Sequence, residues 1–184
     1  MDKVKLSNKT IPLTIRKEVV KALSFYPTLN DVTIEFKFKE NLQKSFMQAQ
    51  PVFTSIFNTP KNRKYRIYIS SDFNIEGEKF TIDSIPEEVL VGWIGHELGH
   101  IMDYMNRSSF NLISFGFKYL FIGKHIREAE RTADVYAVNH GMGSYILATK
   151  NFILNHTSLS EKYKNRIKSL YLSPEDIVQL SNEL

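Results

Sequence analysis

The sequence predicts an α+β fold in which an N-terminal helix and a small mixed sheet precede a mostly helical C-terminal half. Three observations lead there. In the first half, Val32, Ile34, Phe36 and Phe38 alternate with Thr33, Glu35, Lys37 and Lys39, the period-two pattern of a strand with one buried face. From Ser84 onward, apolar residues recur at helical spacing instead. The 184 residues contain no repeat or low-complexity stretch, and the six prolines are scattered, so residues 1–184 read as one domain.

Each element follows from local chemistry. Apolar side chains at helical spacing run from about Leu13 to Phe25 and stop before Pro27, where the pre-proline restriction disfavours further helix. Tyr65 to Ser70 alternates as the earlier strand does, and a further strand is expected around Pro51 to Phe57. Ser84 and Glu87 stand at capping-box spacing with Pro86 in the first turn, predicting a helix that runs to about Asn106. Helices over about Ser109 to Ile122 and Lys124 to His140 follow, the latter closed by Gly141 as a left-handed cap. Two more are expected after Gly143, the last beginning at Ser173-Pro174-Glu175-Asp176.

Composition narrows the function. No cysteine is present, which excludes disulfide scaffolds, thiolate metal sites and cysteine nucleophiles, so a metal here requires His, Asp or Glu. Met1 to Val20 lacks the apolar run of about 7 to 15 residues that a secretory signal needs, and a cytoplasmic location is the expectation. The net charge of +4 comes mainly from Lys61 to Arg66 and Lys162 to Lys168, read as solvated faces because no recognition motif accompanies them. No nucleic-acid partner is expected.

The chemistry centres on His96-Glu97-Leu98-Gly99-His100. Histidines four apart on a helix lie about 40° from each other around its axis, so both rings can reach one ion. Glu97 projects to the side, where a carboxylate can hydrogen-bond a metal-activated water and act as general base. A catalytic zinc takes three protein ligands, and the helix from Lys124 offers the third. There Glu130 and Asp134 share a face with Ile126, Ala133 and Ala137. Acids on an apolar face must be paired or bound to metal. Glu130 as ligand and Asp134 as acceptor for the outer N–H of a ligand histidine satisfy both. Ion pairing with Arg127 or Arg131, and Glu128 as a rival ligand, remain open. Gly92, Gly95 and Gly99 form a stripe that lets another element approach the metal helix closely. Asp103 reads either as a supporting acceptor or as an exposed acid.

His96-Glu97-x-x-His100 followed by Glu130-x-x-Ala133-Asp134 resembles the gluzincin metallopeptidases, in which two helix histidines and a downstream glutamate bind zinc. The Ala-Asp form is most similar to the heat-shock membrane protease and CAAX prenyl protease group and its small soluble relatives. The resemblance covers roughly residues 60 to 140 and implies a zincin-like domain holding one Zn2+ per chain. It also implies an edge strand that pairs with an extended peptide, and by analogy Tyr65 to Ser70 takes that place.

The function expected is a zinc-dependent endopeptidase acting on a protein or peptide substrate, with zinc on His96, His100 and Glu130 and Glu97 as general base. A repressor-cleaving regulatory peptidase and a non-catalytic zinc scaffold are the alternatives. Tyr136, His140, His125, Arg127 and Arg131 are candidates for stabilising the oxyanion, without a choice among them. Phe110 to Ile122 is the most apolar stretch, too short at about 20 Å to span a bilayer. It is expected to be a core helix, with a substrate groove or a membrane-surface contact as the other readings.

Overall fold

A computed structural model describes residues 4–40, 42, 46–75, 77–121, 123–156 and 158–184. After the short strand β1 (Lys9–Thr10), a 3-10 turn at Leu13–Ile15 leads into α1 (Arg16–Leu23), which buries Val19, Ala22 and Leu23 and ends ahead of Pro27. The alternating segments become β2 (Thr33–Phe38) and β4 (Lys64–Ile69), with Ile34, Phe36, Tyr65, Ile67 and Ile69 turned into the core. Between them lies β3 (Met47–Pro51), antiparallel to β4, while β1, β2 and β4 run parallel. The sheet order β1-β2-β4-β3 is therefore mixed, with β3 at one edge. A separate hairpin pairs β5 (Asp72–Ile75) with β6 (Glu78–Thr81).

The strand expected at 51–57 ends where it was to begin. Ser55 Oγ donates to the Val52 carbonyl and accepts from Lys64 N, which curls Phe53–Ser55 into a 3-10 turn. The capping box also sits one element earlier than expected. Ser84 closes a box with Thr81 around a 3-10 turn at Ile82–Ser84, and Pro86 is then the cap residue of α2 (Glu87–Met105).

Helix α2 runs through the middle of the molecule, buried along nearly its whole length, against α1, β3, α4 (Gly123–Ala137) and α5 (Gly143–Leu154). Its glycines explain how closely. A Cβ on Gly99 would meet the Ala133 carbonyl of α4, and one on Gly92 the Tyr145 carbonyl of α5. Gly141, at φ 83° and ψ 16°, takes the left-handed conformation its sequence predicts, ending the helical path of α4 and the turn at Val138–Met142 in a kink from which α5 starts. Among the described residues, three helices rather than two run from Gly143 onward, because α6 (Glu161–Leu170) precedes α7 (Pro174–Asn182). With Ile167 its one buried residue, α6 carries little apolar periodicity to read. Ser173 caps α7 in a box with Asp176, as its sequence predicts.

Two expectations are corrected by burial. Arg63, taken as part of a solvated basic run, is 2% exposed. Its Nε donates to the carbonyls of Ile56 and Asn58, its Nη1 to those of Tyr104 and Arg107, and its Nη2 to Ser109 Oγ. A cation there also answers the negative end of the α2 dipole. Over its described side chains, helix α3 (Ser109–Phe121) departs from the core helix expected: Leu112 is buried and Phe115 half-buried, but Phe110 is 80% exposed. Among the described side chains of α3, Leu112 and Phe115 face the core. Ile122 and the side chains of 117–121 lie outside the described residues. Among the described residues, no helix is long and apolar enough to cross a membrane.

Candidate metal centre

Helix α2 presents His96 and His100 from consecutive turns, and α4 brings Glu130 against them across the Gly99–Ala133 contact. All three are buried, and one ligand atom from each lies within 4.8 Å of the others. The Glu130 carboxylate is 3.0 Å from His96 Nε2 and 3.5 Å from His100 Nε2. Two imidazole nitrogens and a carboxylate oxygen on one point form a donor set that fits a divalent ion with a coordination position left over. Glu128, the rival ligand, faces solvent and pairs with His125.

On its other side, His96 Nδ1 donates to Asp134 Oδ1 at 2.8 Å. Asp134 is fully buried and also accepts from Lys150 Nζ and from the Leu172 N–H. With a carboxylate at each ring nitrogen, His96 holds its proton strongly in the metal-free site. Burial opposes the charge, but the hydrogen bonds to Asp134 and Glu130 outweigh it and push the imidazole up to about 10. Burial likewise opposes ionisation of Glu130 and Asp134. The two histidines hold Glu130 well below the usual carboxylate range, and Lys150 and His96 hold Asp134 below it.

Glu97 stands apart from this triad. Its Oε2 accepts from the Ala49 N–H of β3 at 2.6 Å. Burial pushes its carboxyl above the usual range, more than His100, His96 and the Ala49 N–H pull it down. A carboxylate moved toward neutral pH is suited to taking and returning a proton.

The contact to Ala49 corrects the strand expected to meet a peptide. Tyr65 to Ile69 lies in β4, which is internal, whereas β3 is an edge strand. Val52 N bonds Lys64 O and Ser70 N bonds Phe46 O, so even-numbered β3 residues pair with β4 and Ala49 points outward. Its N–H meets Glu97, and its carbonyl accepts from Tyr104 OH at 3.3 Å. Tyr104 was not foreseen. It lies one turn beyond His100 on the same face, with the two rings stacked, and that spacing was the signal available.

The remaining candidates fall in several places. Asp103 is buried and bonds Arg107 Nε. Tyr136 OH accepts from Asn106, while His140 stacks on Tyr26 and bonds the Tyr136 carbonyl. Arg127 is exposed and Arg131 half-buried. Lys150 was missed, because a single lysine in an apolar helix carries no motif.

In comparisons with known proteins, no family model, no curated protein and no solved structure matches this chain.

Proposed function

We propose that the chain is a zinc-dependent peptidase of gluzincin type, with His96, His100 and Glu130 holding the metal and Glu97 moving the proton. The observation that carries this reading is the convergence of two imidazoles and one carboxylate beside a second, separately held carboxylate. Zinc held there supplies Lewis acidity, lowering the pKa of water and polarising a carbonyl. Glu97, with its raised pKa, accepts the water's proton and passes it to the leaving amine. Asp134 keeps the His96 Nδ1–H engaged, so that Nε2 is the nitrogen turned toward the metal. The outer edge of β3 is the surface on which an extended peptide would align, and its alignment exchanges the Ala49 contacts to Glu97 and Tyr104 for substrate contacts. The N/O donor set favours zinc over the harder cations that prefer oxygen alone.

The test is Glu97→Gln. It should bind about one zinc per chain, as the parent does, and lose cleavage of a fluorogenic peptide library by at least about 100-fold. Parent protein without zinc refutes the metal centre. Cleavage undiminished in the variant refutes the role of Glu97, and zinc without cleavage in the parent favours the non-catalytic scaffold.

A further inference from the structure

Lys150 is buried at 5% exposure in α5, and its ammonium lies 3.0 Å from Asp134 Oδ2 and 3.1 Å from Oδ1. Below it the Tyr171 ring stands 4.1 Å from Nζ, and that ring is itself 5.6 Å from the His96 imidazole. The Leu172 N–H, beside Tyr171 in the link between α6 and α7, donates to Asp134 Oδ2 at 3.0 Å. Both carboxylate oxygens are thus engaged: Oδ1 by His96 and Lys150, Oδ2 by Lys150 and Leu172. A carboxylate gripped on both oxygens cannot rotate about its last bond without breaking a charge-assisted hydrogen bond.

We propose that Lys150 is a positioning residue of the metal centre, locking Asp134 so that His96 presents Nε2 to the ion. The proposal rests on the metal-site reading above and extends it beyond the two motifs. The group that orients the ligand histidine is itself oriented by α5 and by the α6–α7 link. A surface lysine paired with an exposed acid would contribute little, but this pair is out of water, where losing one partner strands the other. The aromatic face of Tyr171 supplies a second, weaker hold on the ammonium.

The experiment is a double-mutant cycle on metal affinity, with zinc binding measured by competition against a chromophoric chelator. Lys150→Met should weaken zinc by about 10- to 100-fold, the range for loss of a partner that orients a ligand, and Lys150→Arg should recover part of it. In an Asp134→Asn background the same Lys150 change should have little further effect, since its action runs through that carboxylate. A merely structural role would lower the melting temperature and leave affinity at 25 °C unchanged, or would add in full to Asp134→Asn, and either result overturns the proposal. Should Lys150→Met be insoluble, Lys150→Gln takes its place in the same cycle. Absence of zinc binding by the parent overturns the metal-site reading itself, whereas parental binding unaffected by Lys150 overturns only the positioning role.

Discussion

A methyl group at Gly99 would collide with the Ala133 carbonyl, three residues beyond Glu130 on α4. The helix-propensity gain of about 1 kcal/mol for Gly99→Ala is set against this overlap with backbone, which cannot swing away as a side chain can. Gly99→Ala should therefore destabilise by about 1 to 3 kcal/mol and weaken metal binding, measured by denaturation and by zinc titration. His96 yields a pH prediction. Its folded value of about 10 exceeds its ordinary 6.5, so in metal-free protein its contribution to stability is full below about 6.5 and fades as pH rises toward 10. Melting curves of the metal-free protein should show this decline, and it should be flattened in His96→Asn. Zinc uptake within the same window should release a proton from Nε2, seen as a buffer-dependent heat in calorimetry.

Arg63 works at the scale of elements, joining the turn after β3 to the end of α2 and the start of α3 through five acceptors. Arg63→Met fills the space but leaves buried carbonyls unpaired, and should cost at least about 3 kcal/mol. For a chain of this size that lowers the melting temperature by roughly 6 °C or more. Helix α3 carries the opposite expectation. Phe110 is 80% exposed, so Phe110→Ser should change stability by no more than about 0.5 kcal/mol. Phe115 packs half-buried between Tyr104 and the Arg107 guanidinium, 4.0 Å over its ring, so Phe115→Ala should fall below the about 3 to 5 kcal/mol typical of a core phenylalanine. Thermal denaturation of the two variants side by side checks both.

For the whole molecule, the candidate metal centre is a joint between α2 and α4, with α5 and the α6–α7 link behind it, so an ion bound there should stabilise the assembly. Zinc at about 1,000 times its Kd should raise stability by about 4 kcal/mol and the melting temperature by roughly 8 to 16 °C, and a chelator should reverse the gain. Much of this centre was legible beforehand. His96, His100, Glu130 and Asp134 stand at local spacings of four, and helix geometry alone puts such residues on one face. Period and punctuation likewise predict β2, β4, α2 and the capped start of α7, because hydrophobic alternation and capping act within a few residues. What the sequence left open are pairings between distant segments. That β3 is an edge strand, that Arg63 is buried, that α3 leaves Phe110 in solvent and that Lys150 meets Asp134 depend on which surfaces come together. Local sequence determined which groups could bind an ion, because their spacing is set by one helix at a time. Only the tertiary structure decided which groups stand behind them, because partnership between distant segments is a property of packed surfaces and leaves no period along the chain.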